Sequence, residues 1–415
     1  MAAATPTPRL RKARLALFAV FGLNGMLSAV WIVHIPAVTA RAGVSPTVLG
    51  MLILLMAACA ILGMQTAGPL ADRVGSRTLT AAAVTLLALT LLGPAHAASP
   101  VALGLFLCAF GFANGALDVS MNAQAVHIER AYARPIMSAF HAFFSCGGFL
   151  GSAFGAAAQH AHWSLPATFT LTTAVGLAVT AGAIPALLPH TAPAAGDVPG
   201  TYVDPAAAQH LPATDATPSD GKPSRRMGGK VVALGLIAFA LLMAEGVAAD
   251  WSALQVRDRL GVDAGAAALA FTAFSLTMTI GRFGADRVSG RLGRVGVLRW
   301  GTAVAAIGFG VVVLSGWLPL TVAGWALCGI GLSGGVPQVF TAAGNLGSAT
   351  AATDMSRVFG LGYVGLLAGP AVIGWLDKLM PLTAAMTVPL VAMALCAWGA
   401  RAVAAPVPAP APASD

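Results

Sequence analysis

Apolar residues in this chain run in blocks far longer than the stripe of an amphipathic helix. Residues 15–40, 42–71, 135–196 and 300–353 contain no Lys, Arg, Asp or Glu. A helix needs roughly 20 consecutive apolar residues to cross a bilayer, so the longer blocks must hold more than one crossing. Only helices and closed barrels satisfy their own backbone hydrogen bonds in lipid, and the ~10-residue alternation of barrel strands is missing. Turn residues and charges divide the chain into twelve helices. They fall over 15–36, 46–70, 78–96, 101–126, 135–159, 164–188, 230–252, 264–285, 297–315, 318–343, 355–376 and 381–401. Pro36 and Pro46 bracket the first hairpin, and Gly93–Pro94 with Ser99–Pro100 mark a later turn.

Composition supports the same reading. Hydrophobic residues make up 57% of the chain and charged residues only 9%, too few charges to cover a soluble protein of this length. The formal charge of +8 by itself would suit a nucleic-acid partner, but the bases lie beside the spans. Of the 23 Lys and Arg, all but Arg41, Arg257, Arg259 and Lys378 fall on segments of one side. Arg282, Arg287 and Arg294 count among that majority. The positive-inside rule then puts both termini in the cytoplasm and accounts for the charge without nucleic acid.

Residues 1–14 carry Arg9, Arg11, Lys12 and Arg14 ahead of a stretch too long for a signal-peptide core, so they read as an uncleaved cytoplasmic segment. The five cysteines sit in apolar stretches without metal-ligand spacing and read as packing residues. Residues 189–229 are rich in Pro and Ala and cannot bury a core. They are expected to form a flexible cytoplasmic linker between bundles at 15–188 and 230–402, with a disordered tail over 403–415.

The two bundles resemble each other. GPLADRV at 68–74 matches RFGADRV at 282–288, and LCAFGFANG at 107–115 matches LCGIGLSGG at 327–335. Met137–Ser138, Gly147 and Gly151 match Met355–Ser356, Gly365 and Gly369. The offsets are 214, 220 and 218, and equivalent spans agree, which argues for a duplicated six-helix unit. The loop GPLADRVGSR resembles the signature loop of the major facilitator superfamily, and GADRVSGRLGR is a degenerate copy where that family places one. NGALDVSMNAQAVHIER, RPIMSAFHAFFSCGG and AEGVAADWSAL give a narrower likeness to its MosC-like (YbjJ-like) branch. The resemblance implies an all-α integral membrane protein, twelve transmembrane helices in two pseudo-symmetric six-helix bundles, moving a small solute. In such a protein Asp72 can bind the positive N-terminus of span eleven. Arg73 and Arg77 can pair with an acid at the inner end of span four, Glu129. Gly68, Asp286 and Arg287 complete the expected cytoplasmic gate.

Ionisable and amide groups at membrane depth are site candidates by default. In span four Asn114, Asp118 and Asn122 form one polar stripe at i, i+4 spacing. The alternative is a hydrogen-bonded seam between helices. Span five offers His141 among Ser138, Ser145 and Ser152, as a proton carrier or a structural donor. Glu245 in span seven lies past the midplane and is favoured over Asp250, which can cap a helix end. Trp251 has a ready place in the interfacial aromatic belt. Asn24 shares a face with Trp31, which can stack on a sugar or belong to the belt. Gly334–Gly335–Val336–Pro337–Gln338 should bend span ten, and Gln338 matches Asp118 by offset, so the two should face each other.

No phosphate loop, metal cluster or nucleophile triad appears, so neither an enzyme nor an ATP-driven pump is supported, and no cofactor is expected. A substrate-binding Arg deep in the second half is missing, which counts against an organic-anion carrier. The expected activity is monomeric, proton-coupled secondary transport of a small polar, sugar-like solute across a bacterial inner membrane by rocker-switch alternating access. Glu245 or Asp118 would carry the proton. A proton-antiporting exporter of drugs or metabolites and a non-transporting membrane receptor are the rivals.

Overall fold

Helix starts are written in the sequence. Thr7, Ser45, Ser99 and Ser164 each accept, through the side-chain hydroxyl, from the amide three residues on, at 3.2–3.3 Å. Each is followed within two residues by Pro, whose missing N–H costs nothing at a helix start. Asp263 does the same work with its carboxylate, accepting from Gly265 and Ala266.

The structure is a computed structural model and describes residues 6–189, 225–346 and 350–404. Among these, twelve long helices follow: α1 (Pro8–Ala42), α2 (Pro46–Val74), α3 (Ser76–His96), α4 (Pro100–Tyr132), α5 (Met137–His160) and α6 (Leu165–Ala186). The second set is α7 (Arg225–Leu260), α8 (264–292), α9 (294–314), α10 (Leu318–Gly344), α11 (Ala351–Leu376) and α12 (Leu382–Val403). The helices α8 and α9 are one continuous run broken at Gly293, where φ is 70°, a left-handed turn that glycine makes without strain. The expected bend in α10 is present as two pieces, Leu318–Leu332 and Gly335–Gly344.

Several helices outrun the apolar windows. α1 begins at Pro8 and so absorbs the second half of the expected N-terminal segment, and α7 continues to Leu260. Hydropathy marks only the part that must avoid water, whereas a helix can extend beyond it into headgroups and solvent. Most of the linker expected over 189–229 and of the tail over 403–415 lies outside the described residues, but 225–229 are not linker: they form the first turn of α7.

The repeat seen in sequence is a repeat of contacts. α1 packs on α5 and α2 on α4; in the second half α7 packs on α11, and α10 on the α8–α9 run. Matched glycines make these approaches. A Cβ on Gly147 would overlap the Gly22 carbonyl oxygen, and one on its counterpart Gly365 would overlap that of Phe239. Without a hydrophobic drive between helices in lipid, such close contact is what holds them together.

The halves meet where α2 packs on α11 and α5 on α8. At one end of the bundle, Asp72 accepts from the Ala352 and Thr353 amides, both at 3.0 Å, and from the Thr353 hydroxyl at 2.7 Å. Its repeat partner Asp286 accepts from the Ser138 and Ala139 amides, both at 2.9 Å. Each carboxylate therefore caps the first turn of a helix in the opposite half. That end also carries Arg14, stacked over Tyr132, and Lys230, bonded to the Ala404 carbonyl; we call it the basic end.

Two outcomes are expected. Gly147→Val should cut thermal stability by several degrees through overpacking of about 1–3 kcal/mol, whereas Gly182→Ala, with open space around its Cβ, should not lower the melting temperature, since Ala favours a helix over Gly. Asp72→Ala should speed hydrogen exchange at Ala352 and Thr353 by roughly tenfold, for a loss of ~1–2 kcal/mol at a helix N-terminus. Unchanged exchange there would show that the cap does not hold the halves.

Candidate functional site

The polar stripe of α4 faces inward. Asp118 is 8% exposed and Asn122 fully buried. The Asn122 amide donates to the Asp118 carbonyl at 2.9 Å and to its carboxylate at 3.1 Å. Two acceptors on the nitrogen fix the direction of the amide, which nothing else would. Its oxygen has no partner among the described residues, nor have the side-chain oxygens of Asn24 and Asn114. Asn24 on α1 reaches α4 only through a weak contact to the Met121 sulfur at 3.9 Å.

Across the interface, Glu245 on α7 pairs with Arg282 on α8 at 3.0 Å, the two side chains 25% and 14% exposed. Arg282 also donates to the Ser145 hydroxyl on α5 at 2.8 Å. One guanidinium therefore ties together both halves. His141, one turn before Ser145, lies within electrostatic reach of Arg282. Its ring sits between Phe21 and Phe340, with centroids at 5.5 and 6.0 Å, and its Nε2 finds no partner among the described residues. Tyr363 on α11 extends its hydroxyl toward Asp118 and lies close enough to Glu245 to feel its charge. Asn24, Asp118, Asn122, His141, Ser145, Glu245, Arg282 and Tyr363 thus converge from six helices on one central cluster.

Several expectations need correction. Arg282 is no surface base: it lies one turn before Asp286, and its long side chain turns toward the bundle centre. The second half therefore does contain a deep arginine. Under the repeat, Arg282 occupies the place of Gly68, where a Cβ would collide with Ser356 on α11. Identical positions serve close packing in one half and a charged site in the other, so the repeat itself hid the arginine. Tyr363 was missed as well, although its offset of 218 from Ser145 marked it.

Gln338 does not face Asp118. It accepts from the Ser289 hydroxyl at 3.1 Å and lines a cleft at the basic end, because the break at Ser333–Gly334 re-aims the last piece of α10. Glu129 does not pair with Arg73 or Arg77. Its two oxygens accept from the Ile136 and Met137 amides at 2.9 and 3.1 Å and from the Thr341 hydroxyl at 2.9 Å. Arg77 donates instead to the Pro185 carbonyl at 3.3 Å, and Arg73 and Arg287 are exposed. The base that crosses between halves is Arg130, which donates to Asn345 at 2.7 Å and to the Gly344 carbonyl.

The aromatic belt reading fails for Trp31, which is 3% exposed and packed in the protein interior. Trp251 is half-buried and donates its indole N–H to the Pro370 carbonyl at 3.2 Å.

No protein-family model matches the chain. It is 33% identical over 397 residues to an uncharacterized MFS-type transporter of Yersinia pestis, covering 94% of each chain. It is 32% identical to an uncharacterized transporter of Sinorhizobium fredii, covering 86% of this chain and 89% of the relative. It is 29% identical to membrane protein MosC of Rhizobium meliloti, covering 85% and 81%. Among solved structures it superposes on the transporter FucP in its outward conformation, with a TM-score of 0.75 at 16% identity over 94% of this chain and 98% of that one. The human organic anion transporter MFSD10 gives a TM-score of 0.74, also at 16% identity, over 95% and 100%. With a third of its residues shared along nearly the whole of a transporter of this type, and with that fold, the chain belongs to the major facilitator superfamily.

Proposed function

We propose that this protein is a proton-coupled secondary transporter for a small, neutral, polyhydroxylated solute, working by rocker-switch alternating access. The observation that carries the reading is the central cluster between the halves, with the halves fastened to each other at the basic end. The fastening supports a solute path that opens at the opposite end in this arrangement. Breaking the Asp72 and Asp286 caps and the Arg130 contacts would let the halves rock apart there. The distribution of bases supports a basic end facing the cytoplasm of a bacterial cell, with both termini inside.

The chemistry of the cluster narrows the solute. The Asn24 and Asn122 oxygens are buried acceptors with no donor among the described residues, and leaving such groups unpaired costs about 1–3 kcal/mol each. Hydroxyl groups would satisfy them. Arg282 favours an anion by itself, but Glu245 already neutralises it, and Asp118 adds a further acid nearby. A solute bearing a full negative charge would meet repulsion there, which disfavours organic anions.

The Glu245–Arg282 pair also offers a coupling device. Protonation of Glu245 breaks the ion pair and frees one face of the guanidinium for solute hydroxyls. Loss of the proton restores the pair and expels them. A buried pair stripped of one member leaves an uncompensated charge, at a cost of roughly 3–5 kcal/mol. Arg282→Ala should therefore destabilise the protein more than the double variant Arg282→Ala/Glu245→Ala does, as read by thermal unfolding in detergent.

A thermal-shift screen across sugars, polyols, amino acids, organic anions and cationic drugs should give its shifts with polyhydroxylated compounds. With the solute in hand, Glu245→Gln should abolish uphill, proton-driven uptake in proteoliposomes while retaining solute exchange at equilibrium. Proton-driven uptake that persists in Glu245→Gln and Asp118→Asn combined would sink the coupling assignment. Stabilisation by carboxylates alone would overturn the solute class.

A further inference from the structure

A second concave site lies at the basic end, away from the central cluster. It has a volume of about 210 Å³ and is lined from both halves: Glu129, Arg130 and Arg134 from the first, Arg294, Gln338 and Asn345 from the second. Pockets for organic ligands usually span ~300–1,000 Å³, so this one suits a single small group. Three guanidinium groups line it against one carboxylate. That carboxylate is already committed, since Glu129 accepts from two amides and one hydroxyl. Glu129 offsets only one of the three bases, so the walls keep an excess of positive charge.

The bases are held there by the fold. Arg130 is fixed across the floor by Asn345 and the Gly344 carbonyl. Arg134 is braced over the Tyr132 ring at 5.5 Å. Arg294 is half-buried and is the first residue after the left-handed turn at Gly293. Bases that serve only to orient a protein in a membrane can extend freely into water; these three border one small concavity. The forks of Arg134 and Arg294, with the Arg130 charge beside them, match the several acceptor oxygens and the multiple charge of a phosphoryl group better than they match a carboxylate.

We propose that this cleft binds a phosphoryl oxyanion that bridges the two halves and strengthens the closed basic end. The oxyanion can come from a free phosphate compound or from the headgroup of an anionic phospholipid. Its walls come from both halves, so rocking them apart would dismantle the site. Occupancy then favours the arrangement seen here by the anion's differential affinity for it. The presence of phosphate on that side rests on the cytoplasmic orientation proposed above, whereas binding itself does not rest on any transport activity.

The test uses the full-length protein in phosphatidylcholine nanodiscs, in phosphate against chloride at matched ionic strength, and in discs containing phosphatidylglycerol. Thermal unfolding and hydrogen exchange over 341–346 and 352–353 are read, and neither needs a transported solute. Millimolar phosphate should raise Tm by about 2 °C and slow exchange in both segments, and Arg134→Gln/Arg294→Gln should lose both effects. The same effects with phosphatidylglycerol alone, again lost in the double variant, would identify the lipid headgroup as the source. Arg294→Lys, which keeps the charge but not the fork, should retain a smaller shift and serves if the double variant fails to fold. A wild-type protein indifferent to phosphate and to phosphatidylglycerol overturns the proposal. So does a shift of full size in the double variant.

Discussion

Two carboxylates placed on two helix N-termini hold this molecule in the arrangement described. In lipid, apolar burial gives little preference for helix against helix, so the relative position of the halves must come from polar contacts and close fit. Asp72 and Asp286 supply both. Each sits at the end of a helix in one half and satisfies the otherwise orphaned amides that open a helix in the other. Pseudo-symmetry makes them a pair, and a pair of caps on either side of the central axis resists twisting better than one contact could. The remaining links between halves, from Arg130 at the basic end to Arg282 at the centre, depend on this registration.

Duplication supplies the scaffold, and departures from it supply the chemistry. Gly147 and Gly365 make equivalent helix approaches in the two halves, so the close packing is shared. At the position of Gly68 the second half carries Arg282, and at the position of Ser145 it carries Tyr363. Asp118 likewise faces Gln338 in the alignment but not in space. A strictly symmetric bundle would place like charges opposite one another at its centre. Substituting one member of each matched pair allows Glu245 to meet Arg282 and Asp118 to meet Tyr363, so that the acids have partners of different kinds.

That economy bears on how a site can exist at membrane depth. Charges there are tolerated when they are paired or face a cavity. The Glu245–Arg282 pair is partly exposed rather than sealed, which eases its desolvation and leaves it able to exchange partners. The amide oxygens of Asn24 and Asn122 are buried and have no donor among the described residues. In the transport cycle proposed above, the cluster would exchange internal hydrogen bonds for hydrogen bonds to the solute.

Reading the sequence alone recovers the architecture and part of the site. The spans, the duplicated six-helix unit and the capping role available to Asp72 follow from local chemistry: apolar run length, turn residues, and motifs repeated at similar offsets in equivalent spans. The inward placement of Asp118, Asn122 and Glu245 follows from the cost of charge in lipid. What escaped is whatever depends on the reach of a side chain or the path of a neighbouring helix. Arg282 looked like one more base near a helix end, and only the packing of α5 and α7 around it turned it into the centre of a network. Glu129 looked like a partner for Arg73 and Arg77, but the sharp turn into α5 presents it with amides first. Run length and offset are properties of a single segment and so are legible in sequence, whereas pairing is a property of two segments brought together and is decided by the fold.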